Sequence, residues 1–190
     1  MSVDSLAGYS EDEQKKRRIA IDCYKKGNEA LSKQNFDYAV EMFGKSVMLV
    51  PDNLLYRQVL RGAEYRKYRD NKTGASMAFL RLTGVRGKTK KAKLQKNWRE
   101  LDRAAEEGLS INPWDPTFNA EVGEAAANLG YQEVAVFAFE KAVEGEPNNK
   151  EYLRSLALAY ERRSRFVEAR TMWERLLKLD PLNSEARTKI

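Results

Sequence analysis

An all-α chain of stacked helix–turn–helix units is predicted by three observations. Pro113, Pro147 and Pro181 stand 34 residues apart, twice in succession. The blocks they close, 116–149 and 150–183, carry small and apolar residues at matching places. An earlier block, 20–53, repeats the pattern and ends in Pro51–Asp52–Asn53. Self-similarity at this period marks helical hairpins lying side by side, because one hairpin cannot bury its apolar face alone.

The matching places give the physical detail. Block 20–53 has Gly27, Ala30, Ala39, Phe43, Ser46 and Pro51; block 116–149 has Val122, Gly123, Ala126, Ala135, Phe139, Ala142 and Pro147. Block 150–183 has Leu156, Ala157, Tyr160, Ala169, Trp173, Leu176 and Pro181. Small residues at the eighth and twentieth places allow two antiparallel helices to approach closely. A large aromatic at the twenty-fourth fills the space beside them, and proline cannot continue the second helix. This pattern resembles the tetratricopeptide repeat, over roughly 100 residues in three blocks. The resemblance implies a right-handed superhelical stack of about four hairpins, with the first helix of each lining a concave face.

The elements follow in order. Residues 1–10 read as disordered. Ser10 is placed to cap a first helix from about residue 11 to Lys33, with Glu11 and Glu13 in its first turn. Asn35 and Asp37 mark a turn, and a second helix runs to about Val50. A third starts at Leu54 and ends near Arg69. There the period breaks: Pro51 and Pro113 are 62 residues apart, so the second repeat, 54–115, is expected to hold an insertion of about 28 residues at about 70–97. Turn chemistry at Asp70–Gly74 and Thr83–Gly87 brackets a short helix, Ala75–Leu82, and a long helix from about Thr89 to Ile111 closes the repeat. Blocks 116–149 and 150–183 are regular. Leu182–Ile190 opens a further helix, the expected repeats leaving 184–190 as its start. This stub reads as a short cap or, since the other repeats open with longer helices, as the point where a longer protein continues.

Bulk composition restricts function. A single domain over 11–190 is expected. Charged residues make up 33% of the chain, as an array with much exposed helix surface would have. Histidine is absent, which removes imidazole acid–base chemistry, Ser–His and Cys–His nucleophiles and histidine metal ligands. The lone Cys23 excludes an internal disulfide framework and suits a reducing, cytoplasmic setting, with its thiol read as a small buried hydrophobe. No apolar run approaches the roughly 20 residues that span a bilayer. No catalytic residue, cofactor or metal site is expected. Gly87–Lys88–Thr89 copies the end of a phosphate-binding loop, but Leu82 stands where that loop needs glycine and no strand precedes it. Paired carboxylates such as Glu106–Glu107 and Glu144–Glu146 read as solvated helix faces.

Charge is unevenly placed. Residues 57–99 hold 14 Lys and Arg against Glu64 and Asp70, while the rest of the chain is net acidic. The densest part is Arg86, Lys88, Lys90, Lys91, Lys93, Lys96 and Arg99. A solvated helix answering the acidic repeats would explain it; so would an acidic protein partner, a nucleic acid or an anionic membrane surface.

The family resemblance adds a groove. Its lining is expected at Tyr24, Asn28 and Leu31; Gln58 and Tyr65; Ala120, Glu124 and Asn128; and Arg154, Leu158 and Arg162. Some members of the family hold a chaperone's C-terminal carboxylate with a Lys–Asn–Asn–Lys–Arg clamp. Only Asn28 matches here, the other places being Tyr24, Val59, Thr117 and Glu121, so that function does not carry over. The expected role is a non-enzymatic scaffold that binds a protein or peptide segment, an acidic one among the candidates. Anion or nucleic-acid binding through 86–99, an adaptor role within a longer protein, and self-association through exposed array ends are the alternatives.

Overall fold

The protein's computed structural model describes residues 8–190, which form ten α-helices and no strand. Residues 1–7, most of the segment expected to be disordered, lie outside the described residues. The helices are α1 (Glu11–Ser32), α2 (Phe36–Leu49), α3 (Leu54–Lys67), α4 (Ala78–Leu94), α5 (Trp98–Ile111), α6 (Pro116–Leu129), α7 (Gln132–Gly145), α8 (Lys150–Arg162), α9 (Phe166–Leu179) and α10 (Ser184–Lys189). They divide into two compact units, one ending at Asp70 and one spanning Asn71–Ile190, in place of the single domain expected over 11–190.

In the first unit Ser10 caps α1 as expected, its hydroxyl accepting from the Glu13 N–H at 3.3 Å. α1 and α2 form a hairpin turned at Gln34, which adopts a left-handed φ of 57°. Gly27 explains the close crossing: a Cβ there would lie 2.5 Å from Cε1 of Phe43, whose ring is fully buried. Ser46 donates from its buried hydroxyl to the Ala20 carbonyl at 2.9 Å, tying the two helices again. α3 packs on this hairpin through Tyr56, Leu60 and Ala63.

The second unit holds three hairpins, α4/α5, α6/α7 and α8/α9, followed by α10. The device seen at Gly27 recurs, since a Cβ on Gly123 would stand 2.7 Å from Cδ1 of Phe139. In α8/α9 the fully buried Ala157 and Trp173 occupy the same places. Between hairpins, Gly108 of α5 admits the Phe118 ring of α6, where an added Cβ would meet ring carbons at 2.7 Å. Asp115, Asn149 and Asn183 cap α6, α8 and α10, each side chain accepting from backbone N–H groups of the first turn. The three aromatics expected to be wedged in the layers, Phe43, Phe139 and Trp173, are all buried.

The expected second repeat is corrected. The helix predicted at 75–82 and the one at 89–111 are instead α4 and α5, broken at Gln95–Asn97. Thr83–Gly87 is helix interior and not a turn. The reason is a buried stripe, Leu82, Val85, Thr89 and Ala92, whose helical spacing outweighs two glycines. The left-handed turn residues Lys96, Gly130 and Ser164 fall 34 residues apart, so 82–115 is itself a hairpin in phase with its successors. Its sizes are exchanged: Leu101 stands where the others have Ala135 and Ala169, and Ala105 where they have Phe139 and Trp173, all buried. Helix α3 is left in the first unit. The turn expected at Asp70–Gly74 is present: Asn71 Oδ1 accepts from the N–H groups of Thr73 and Gly74, and Ala75 donates its N–H to Ile111 O at 2.8 Å.

Candidate functional site

The in-phase hairpins give α4, α6 and α8 equivalent positions. Arg86, Ala120 and Arg154 occupy one place on successive first helices, Lys90, Glu124 and Leu158 a second, and Leu94, Asn128 and Arg162 a third. Side-chain pairs join neighbouring helices along this surface. Lys93 Nζ lies 2.5 Å from Glu124 Oε2, and Arg86 Nη2 lies 3.3 Å from Asp115 Oδ2. α10 continues the series: Arg154 donates Nε to Glu185 Oε2 at 2.5 Å and Nη2 to Oε1 at 3.0 Å, and Lys189 Nζ reaches Glu161 Oε2 at 2.6 Å.

The surface is a carboxylate rail flanked by cations. α6 contributes Glu121 and Glu124; α4 contributes Arg86, Lys90 and Lys93; α8 contributes Arg154 and Arg162. Several of these charges already neutralise one another, but Lys90 and Arg162 are exposed and make no ion pair among the described residues. Apolar surface lies among them, from the 77% exposed Leu94 and the half-buried Leu158. Asn128 turns its amide back on its own helix, Nδ2 donating to Glu124 O at 2.8 Å.

Glu121 carries a perturbed carboxyl. Burial pushes its carboxyl above the ordinary range, Asp115 and Glu124 push the same way, and the Thr89 hydroxyl and Lys93 ammonium oppose them. One oxygen, Oε2, is buried without a hydrogen-bond partner. A carboxyl whose folded-state pKa is raised favours the fold while protonated, and that support fades as pH rises from the unfolded value through the folded one. Glu121→Gln is therefore expected to raise stability at neutral pH and to flatten the decline above about pH 4.5. Thermal melts of both proteins across that range would show it, and parallel pH profiles would disprove the assignment.

The predicted groove residues of the first unit fare differently. Tyr24 is half-buried, its ring centroid 5.9 Å from Phe43 and 5.4 Å from Tyr56, and Leu31 packs on the same cluster. Both belong to the packing between helices, Tyr24 lying against the rings of Phe43 and Tyr56. Asn28 is exposed and donates Nδ2 to Tyr24 O at 3.1 Å. Gln58 is exposed; Tyr65 lines a shallow hollow with Phe36, Gly62 and Arg66. The basic residues also sort by place. Arg86, Lys88, Lys90, Lys91 and Lys93 are on α4, Lys96 is at the turn and Arg99 is on α5. Arg86, Lys90 and Lys93 thereby join the groove surface, which sequence reasoning missed. Counting back 34 residues from Ala120, Glu124 and Asn128 would have found Arg86, Lys90 and Leu94.

Comparison with solved structures agrees with this architecture. The first tetratricopeptide domain of Spaghetti (RPAP3), bound to the HSP90 peptide SRMEEVD, matches with a TM-score of 0.54 at 21% identity, over 63% of this chain and 91% of that one. The Arabidopsis OM64 tetratricopeptide domain gives 0.52 at 22%, over 55% and 87%. This is the tetratricopeptide-repeat fold. The TPR2AB domain of yeast Sti1, in complex with pHSP90, gives 0.51 at 18% and extends over 91% of this chain and 66% of that one. No family model matches the sequence, and a search of curated proteins found no match. Among the described residues no helix is long and apolar enough to cross a membrane.

Proposed function

We propose that this tetratricopeptide chain is a non-enzymatic binding module that holds a segment of a partner protein along the α4–α6–α8 surface of the second unit. The observation that carries this reading is the register of three first helices, which sets Lys90 and Arg162 around exposed Leu94 and half-buried Leu158. The chemistry suits an acidic segment with an apolar residue between its charges. Neighbouring helices pack at about 8–10 Å, so Lys90 and Arg162 are roughly 20 Å apart across two spacings. An extended segment covers that span in about six residues. The solved tetratricopeptide structures that bind HSP90 peptides support peptide binding as the mode. They do not lend this chain their peptide, because Thr117 and Glu121 occupy the places of the clamp's final cations.

Selection from a displayed peptide library tests the reading. Wild type is expected to enrich sequences with two acidic residues about six apart around an apolar one. Lys90→Glu with Arg162→Glu should weaken the selected peptides at least about tenfold, the equivalent of 1.4 kcal/mol. Enrichment of neutral sequences, or unchanged binding to the variant, would refute the assignment.

A further inference from the structure

We propose that the tip of the α4/α5 hairpin, bearing Lys91, Lys96, Arg99 and Arg103, binds the sugar–phosphate backbone of a nucleic acid. The inference is independent of the groove, since none of these four side chains belongs to it.

One ion pair sets the register of the hairpin. Lys88 Nζ meets both carboxylate oxygens of Glu107 at 2.8 Å. The helices are antiparallel, so one turn nearer the tip Lys91 stands opposite Arg103. Lys96 follows at the turn itself, where it adopts a left-handed φ of 52°, and Arg99 lies in the first turn of α5. All four are exposed, and none makes an ion pair among the described residues. Their situation differs from that of Arg86, Lys88 and Lys93, each of which is held by a carboxylate. Glu100 lies exposed in the same stretch and Asp102 is buried, so the accessible surface keeps a clear positive excess.

Two features favour a phosphate backbone over an acidic protein. Arg99 and Arg103, one helical turn apart on α5, are about 6 Å from each other, with Lys91 on α4 opposite them. That array can meet several phosphates at once. A specific protein interface, by contrast, centres on anchors seated in well-packed, desolvated pockets. The tip offers none: Trp98 is half-buried against Ala92, Leu101 and Ala125, and Leu94 shares its register with Asn128 and Arg162. A cationic surface without an anchor is the composition of sequence-independent phosphate binding.

Fluorescence anisotropy of the full chain with a short labelled DNA duplex tests this. Four phosphate contacts give a slope of about −3.6 in log K against log salt, so affinity should fall roughly 100-fold between about 50 and 200 mM salt. Lys91→Glu/Arg99→Glu/Arg103→Glu should abolish most of that slope. Lys25→Glu/Lys26→Glu/Lys33→Glu, which changes net charge equally on exposed positions of α1 and its C-cap, should retain it. Circular dichroism of both triples verifies folding, and single reversals at Lys91 and Arg103 serve if the tip triple unfolds. The proposal fails if duplex does not bind at low salt, or if both triples lose affinity alike. It fails also if polyglutamate or anionic phospholipid vesicles bind the tip as well as DNA does.

Discussion

Trp173→Ala is expected to destabilise the second unit by about 3–5 kcal/mol, the range for removing a fully buried large aromatic. The Trp173 side chain is 0% exposed, and its indole N–H donates to Glu161 Oε1 at 2.8 Å. The ring occupies the gap between α8 and α9 that Ala157 and Ala169 leave open. Alanine at 173 would leave a cavity in the buried layer between α8 and α9. The substitution also releases Glu161, whose side chain then keeps, among the described residues, only its contact with Lys189. Trp173→Phe separates the two effects, retaining most of the ring while losing the hydrogen bond, and should cost well under half as much. Denaturant midpoints followed by far-ultraviolet circular dichroism give both values. A loss below about 1 kcal/mol for alanine would show that α9 is not held through this ring.

Trp173 also illustrates why part of the fold was legible. Blocks 116–149 and 150–183 follow a simple volume rule, small at the twentieth place and large at the twenty-fourth, so each could be recognised alone. Hairpin 82–115 obeys the same rule with its terms exchanged. Leu101 and Ala105 fill the interior as Ala135 and Phe139 do in the next hairpin, but a template written in residue types does not register the exchange. The glycines at 84 and 87 reinforced the misreading. They resemble a turn, yet in α4 a Cβ at either would meet nothing within 4 Å, so they mark neither a turn nor a close contact. The expected insertion was thus an ordinary hairpin preceded by one extra helix and a ten-residue connection, 68–77.

Charge was legible as an amount and not as a location. The 14 cations of 57–99 read as one exposed patch, but which side of a helix each takes depends on the hairpin register. Arg57 and Arg61 are nearly inaccessible on α3, the Arg57 Nε and Nη2 both donating to the Pro51 carbonyl at 3.0 and 2.8 Å. Arg86 and Lys93 face α6. Lys91, Lys96 and Arg99 gather at the α4/α5 tip, where Arg103 from beyond the stretch joins them. One stretch of basic sequence therefore supplies an interior network, part of a groove and a separate exposed surface.

The interior network leads to the second large effect. Glu64→Ala should cost about 3–5 kcal/mol, because it removes a buried carboxylate that offsets the Arg61 charge in a site that water does not reach. Arg61 Nη1 pairs with Glu64 Oε2 one turn away on α3, and the two side chains are only 3% and 1% exposed. Both ions lost their hydration on folding, and attraction between them offsets that cost only while both remain. The exposed pair Arg163–Glu133, at 2.9 Å with side chains 45% and 58% exposed, provides the contrast. There water and salt already screen the attraction, so Glu133→Ala should change stability by less than about 1 kcal/mol. Each variant removes one carboxylate and the same formal charge, and the two differ most in burial. Equal midpoints in parallel urea titrations would mean that Arg61 gains water or another anion once Glu64 is gone, and that α3 does not depend on this pair.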